Sequence, residues 1–293
     1  MIFYFLIHPS SALAGAKEGI ALWYGQILPT LLPFAIISAV LISSNSFEKL
    51  QNAKLFRRLR RIGAAELFVI LCGFLFGFPI GSKLSADLYQ KGLLTRKKAQ
   101  ILCSFTNNMS PMFVISFVMN QQLQSPERGP VTVFLLYAPA FLVGMIRLLA
   151  SGKRMSVIHK KSASRFQLDM QIIDAGILSG FQTLIKLCGY IMFFSIGVKM
   201  LEEITFLPDI LKVMCIGLTE VTNGVVALAK LSVSTGIRYI LVIFFLSFGG
   251  LSGLAQTGSM IQTAGLSLPE YLRDKILLSL LSSTLAIVYL LFC

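Results

Sequence analysis

The chain has 293 residues, 55% of them hydrophobic and only 13% charged, with a mean hydropathy of +0.77. That composition excludes a soluble domain with a few apolar helices and predicts a membrane protein with several crossings. The net charge of +13 does not mark a nucleic-acid binder. The basic residues fall into short loops between apolar stretches and form no extended basic face.

Met1–His8 is apolar, lacks a basic start and a cleavage motif, and reads as the stub of a membrane-associated helix, not a secretory signal. Ser11–Tyr24 sets Lys17 and Glu18 among Leu13, Ile20, Leu22 and Trp23, which predicts a helix lying in the interface, with Trp23 and Tyr24 at headgroup level. Gln26–Ile42 is long enough to span, and Phe47–Arg61 is strongly basic. Leu67–Tyr89 is apolar but interrupted by Gly77, Pro79 and Gly81. Basic clusters flank it on both sides, the second being Lys91 with Arg96, Lys97 and Lys98, so it is predicted to enter and leave on one side as a re-entrant hairpin. Gln100–Met119 then crosses outward, carrying Ser104, Thr106, Asn107, Asn108 and Ser110 ahead of Pro111. Val131–Ala150 returns to a third basic loop with Lys153, Arg154, Lys160, Lys161 and Arg165.

After Arg165 the order recurs. Ile172–Thr183 reads as interfacial, Leu184–Leu201 as a span, and Glu202, Glu203 and Asp209 as an acidic external loop. Leu207–Leu231 is broken by a polar run from Gly217 to Gly224, Arg238–Gln262 is Gly- and Ser-rich in its second half, and Ile276–Phe292 closes the chain. Counterparts are evenly spaced: Gly77 to Gly217 is 140 residues, Ser104 to Ser247 is 143, and Val131 to Lys275 is 144. An odd number of crossings per half turns the second half over. The predicted fold is an all-α polytopic membrane protein with inverted-topology repeats, residues 1–165 and 166–293. Each repeat holds a re-entrant helical hairpin and a broken transmembrane helix, as in many secondary transporters.

The candidate site residues lie at these interruptions. Glu220, in GLTEVTNG, is a carboxylate in an apolar neighbourhood. At membrane depth it must pair, bind a cation or be protonated; at a shallow tip it would simply face water. Thr219 and Asn223 flank it. Lys83 follows Gly81 and Ser82 at a helix start, where an ammonium and free N–H groups attract anions, but Asp87 four residues on offers an ordinary ion pair. Thr106, Asn107 and Asn108 suit either a polar solute or interhelical hydrogen bonds. Ser252 and Gln256, among glycines, suit either a site or close helix packing. Cys72, Cys103, Cys188, Cys215 and Cys293 read as small hydrophobes, and His8 and His159 suggest no metal site. No enzyme motif is present, so neither catalysis nor a cofactor is expected, beyond a coupling Na+ or H+. The expected partners are a small anionic solute and the lipid bilayer; self-association into a homo-oligomer stays open.

GFPIGSKLSADLYQKGLLT followed by SFTNNMSP resembles the sporulation integral membrane protein (YlbJ/SpoVV-like) family, and LWYGQILPTLLPFAII, GLTEVTNG and GLSGLAQ fit the same pattern. The resemblance covers most of Ala21–Tyr271. It implies a Gate, or nucleoside recognition, domain distantly similar to concentrative nucleoside transporters, with two hairpins and two broken helices around the substrate. Carried over, the first hairpin holds Gly77, Pro79, Gly81, Ser82 and Lys83, and the first broken helix Thr106, Asn107 and Asn108. The second hairpin holds Thr219, Glu220 and Asn223, and the second broken helix Ser252 and Gln256. The implied function is transport of dipicolinic acid across the outer forespore membrane of a sporulating bacterium. The alternatives are a nucleoside or other polar metabolite carrier, and a non-transporting membrane scaffold of spore assembly.

Overall fold

The computed structural model describes residues 2–44, 62–152 and 169–292. The basic segments 47–61 and 153–165, which carry much of the expected orientation, lie outside the described residues. Among those described, the structure is helical with no strand, and five helical segments are long and apolar enough to cross a membrane: Pro9–Leu41, Pro126–Ala150, Met170–Glu202, Thr235–Ala264 and Leu268–Phe292.

After a short first helix α1 (Ile2–Ile7), α2 (Pro9–Leu22) continues through a π-helical turn, Trp23–Ile27, into α3 (Leu28–Ser43). The expected interfacial helix and its following span are thus one continuous rod. The same holds later, where Met170–Glu202 is a single helix of 33 residues, here α8. At about 1.5 Å per residue such a rod is roughly 50 Å long, against a hydrocarbon core of about 30 Å. Its ends must therefore leave the apolar layer or the rod must tilt. The Trp23 indole Nε1–H donates to the Leu184 carbonyl of α8 at 2.9 Å, tying the first rod to the second.

The two rods cross antiparallel on small residues. A Cβ on Gly19 would stand 2.7 Å from the Met192 Cα, and one on Gly180 would stand 2.8 Å from Cγ1 of Ile36. Lipid tails are as apolar as leucine, so close backbone approach and van der Waals packing replace the hydrophobic effect at such a contact.

Between the rods in sequence lie α4 (Ala64–Phe76), α5 (Ile80–Gln90), α6 (Arg96–Thr106), a π-helical run Phe113–Gln122, and α7 (Gly129–Ala150). The Thr95 hydroxyl caps α6 by accepting the Lys98 N–H. After α8 come α9 (Asp209–Thr219), α10 (Val221–Lys230), α11 (Thr235–Phe248), α12 (Gly250–Ile261) and α13 (Leu268–Phe292). The predicted interruptions are present as helix ends, at 77–79, 107–110, 220 and 249.

The buried core is not divided at residue 165. One cluster joins Val69, Leu84, Leu102 and Phe105 to Ile261 and Tyr271. Another joins Val118 and Leu136 to Val225, Leu228 and Phe245. Each cluster draws on both sides of the chain, so neither sequence half packs alone.

Candidate functional site

The interruptions meet in pairs. The Phe78 N–H donates to the Asn108 carbonyl at 2.6 Å, joining the turn after α4 to the break after α6. On the other side, a Cβ on Gly250 would lie 3.3 Å from both the Thr219 oxygen and the Val221 nitrogen, so the break before α12 sits on the turn between α9 and α10. The two pairs also face each other: the Phe78 ring lies 3.5 Å from where a Gly253 Cβ would be.

Between them is a cavity of ≈ 60 Å³, about four times the minimum that holds one water. Phe78, Met109, Ser110 and Phe113 form one wall, and Glu220, Thr222, Ser252 and Gln256 much of the other. Ile27 and Thr30, where the π-helical turn enters α3, and Leu187 and Ile191 of α8 close the sides. π-Helical turns recur at functional sites, and here two abut the cavity, through Ile27 and Phe113.

Glu220 is 3% exposed, so it does not sit at a water-facing tip. It is the N-cap of α10: Oε2 accepts the Asn223 backbone N–H at 2.8 Å and the Asn223 Nδ2 at 3.0 Å. A carboxylate there satisfies otherwise unbonded N–H groups and meets the positive end of the helix dipole. Asn223 Nδ2 also donates to the Ser195 hydroxyl of α8 at 3.1 Å, tying the cap to the second rod. On α12, Gln256 Nε2 donates to Ser252 Oγ at 2.8 Å. The first turns of α10 and α12 both border the cavity.

Of the predicted residues, Glu220, Ser252 and Gln256 thus share the cavity wall, and Asn223 stands one hydrogen bond behind. The others are placed elsewhere. Asn107 is fully buried; its Nδ2 donates to Thr257 Oγ1 and the Tyr271 hydroxyl, both at 3.0 Å, and its Oδ1 accepts the Ser82 N–H at 3.4 Å. That amide staples the start of α5 to α12 and α13. Asn108 Nδ2 donates to the Phe105 carbonyl and its Oδ1 accepts from Lys275 Nζ at 3.0 Å. Gly81 lets α5 lie against Thr106, whose oxygen would be 2.6 Å from a Cβ there. The Thr106 and Thr219 hydroxyls turn back to their own helices, onto Leu102 and Cys215. Lys83 pairs with Asp87 at 2.8 Å and is absent from the cavity wall.

Sequence reasoning passed over Phe78, Thr30 and Thr222 as lining residues, and Lys275 and Tyr271 as buried polar groups. The last two carry a legible signal. Tyr271, Lys275, Ser279, Ser282 and Ala286 recur at helical spacing along α13, and all are buried.

No protein-family model matches the chain, and no solved structure does. It is 26% identical to the sporulation integral membrane protein YlbJ of Bacillus subtilis (strain 168), over 87% of this chain and 71% of that protein. Motifs, helical membrane architecture and this similarity agree: the chain is an integral membrane protein related to the sporulation integral membrane protein YlbJ.

Proposed function

We propose that the chain is a secondary carrier, moving a small anionic solute by alternating access at the central cavity, with dipicolinic acid across the outer forespore membrane as the first candidate. The observation that carries the proposal is the meeting of four helix interruptions around one cavity, whose largely apolar wall carries Glu220, Thr222, Ser252 and Gln256. Irregular backbone at membrane depth survives where it lines such a cavity, and carriers bind their solutes at such junctions.

An inverted repeat fits the same geometry. Helix α4 ends at Phe76 and α9 at Thr219, 143 residues on; α6 ends at Thr106 and α11 at Phe248, 142 on; α7 begins at Gly129 and α13 at Leu268, 139 on. In this proposal α4–α5 and α9–α10 are the re-entrant hairpins of a Gate-like, nucleoside-recognition architecture, and the two rods frame them.

The first turn of α12 offers N–H groups and a positive dipole end to a carboxylate, whereas that of α10 is already capped by Glu220. Ser252 and Gln256 would orient the solute, and the rings of Phe78 and Phe113 would face a planar one. Glu220 shares the space, so an anion enters only when that charge is neutralised. Solute uptake is therefore coupled to a Na+ or H+ at Glu220.

One observation favours a second reading. Glu220 is the one ionisable side chain on the described wall, with no Lys or Arg beside it, which suits a neutral polar metabolite such as a nucleoside. Uptake of labelled dipicolinate into proteoliposomes, with unlabelled nucleosides as competitors, separates the two. Saturable uptake that nucleosides leave untouched supports the first; competition by nucleosides supports the second. No uptake of either, with proton and Na+ gradients imposed on folded protein, would overturn both and favour a membrane scaffold.

A further inference from the structure

Several ionisable side chains buried in the described helices take no part in the cavity wall, and one of them is a cation without a carboxylate partner. Lys275, on α13, is 3% exposed. Its Nζ donates to Asn108 Oδ1 at 3.0 Å and lies 5.9 Å from the centre of the Tyr271 ring. Among the described residues it has no carboxylate within ion-pair reach, although other inward-facing cations do: Lys98 is 2.7 Å from Glu66, and Arg147 is 2.6 Å from Asp274. Asp274 adjoins Lys275 in sequence but is taken by Arg147 and, at 3.5 Å, Arg273. Removal from water works against any unpaired ammonium, and an intramembrane cation without a counter-charge marks an ion or proton pathway. Lysine, unlike arginine, can answer by giving up a proton.

The groups around it leave few other partners. Its own helix presents Tyr271 and Asp274, α6 presents Cys103, and α7 presents Arg147 through Asp274. Helix α12 has no ionisable residue. The ionisable residues of α11, Arg238 and Tyr239, lie at its start and bond to the Leu231 carbonyl and Thr132.

We infer that Lys275 is a proton-binding site of the carrier, separate from Glu220, and that its protonation state sets the arrangement of the break after α6. The inference rests on the carrier reading above. With three protons, the ammonium makes a charge-assisted hydrogen bond to Asn108 Oδ1, stronger than its neutral counterpart. Loss of one proton to water leaves a neutral amine and weakens that bond, so that the Asn108 side chain is held mainly by its Nδ2 bond to the Phe105 carbonyl. The Asn108 main chain holds Phe78, and the next two residues, Met109 and Ser110, line the cavity. Proton occupancy thus reaches the solute site through one residue. A groove of ≈ 320 Å³ is lined by Arg147, whose partner Asp274 is the residue before Lys275 on α13.

Two measurements test this independently. In detergent-solubilised protein with 15N-labelled lysine, the Lys275 Nζ signal is identified by its loss in Lys275→Arg. It should convert from ammonium to amine over the pH range in which uptake responds to the proton gradient; an ammonium that persists throughout that range would overturn the proposal. In Na+-free proteoliposomes, the ratio of uptake with an inward proton gradient to uptake without one should be several-fold. It should fall in both Lys275→Gln and Lys275→Arg, the second keeping the charge but holding its proton. An unchanged ratio in either folded variant would overturn the proposal. Titration of Lys275 in a protein that moves no solute would count against the carrier while leaving the proton site standing.

Discussion

The Phe78 N–H and the Asn108 carbonyl oxygen are 2.6 Å apart across the junction of α4–α5 with α6. That bond makes two chain interruptions one unit, and it depends on the residue before it. Gly77 has φ of 74°, and a Cβ there would stand 2.5 Å from the Ser110 nitrogen. Neither demand leaves room for a side chain.

Gly77→Ala is therefore expected to destabilise the protein by about 1–3 kcal/mol from backbone strain alone, with the collision against Ser110 adding to it. Thermal unfolding in detergent checks this. A midpoint equal to that of the unsubstituted protein would contradict the tight junction.

Lys83 and Glu220 are both site candidates in the sequence, and they sit in opposite circumstances. The Lys83–Asp87 pair is partly exposed and lies one helical turn apart; such pairs contribute about 0.5 kcal/mol or less. Lys83→Ala should leave uptake within about twofold, since the substitution removes only a pair of that small size. Glu220→Gln should retain the fold and lose uptake by more than about tenfold, because it removes the charge that binds the coupling ion. Initial-rate uptake of both variants, with size-exclusion profiles as a check on folding, distinguishes them.

Asn107 and Gln256 separate stability from solute handling. Asn107→Leu strands Thr257, Tyr271 and the Ser82 N–H, and unmade buried hydrogen bonds cost about 1–3 kcal/mol each. Its expected effect is a lowered unfolding midpoint. Gln256→Leu, on the cavity wall, should raise KM for the solute with little change in midpoint. The reverse pattern would place the solute at Asn107.

Much of the architecture was legible because lipid punishes loose backbone. Gly77, Pro79 and the polar runs at 104–110 and 217–224 could only be breaks, and the helix ends fall there. The rods were harder to read. Lys17 and Glu18 suggested an interfacial helix separate from its span, but a helix does not stop where its environment changes, and the chain carries its helix past Gly25 through the π-helical turn Trp23–Ile27. Side-chain direction was the least visible. Asn107 and Asn108 lie in the right break, yet both amides are spent holding helices together, while Phe78 and Thr222 face the cavity. Lys275 stands just before the apolar stretch Ile276–Phe292, but the helix begins at Leu268 and carries it inward.

The direct test of the central claim is solute protection of a cysteine placed at Ser252, which lines the cavity and is 1% exposed. In a background with the native cysteines replaced, Ser252→Cys would be labelled by a small thiol reagent in proteoliposomes, with and without dipicolinate or nucleoside. If the solute occupies this cavity, labelling should inhibit uptake, and saturating solute should slow labelling at the concentration that half-saturates uptake. Labelling at a rate indifferent to every transported solute would contradict a site between the interruptions.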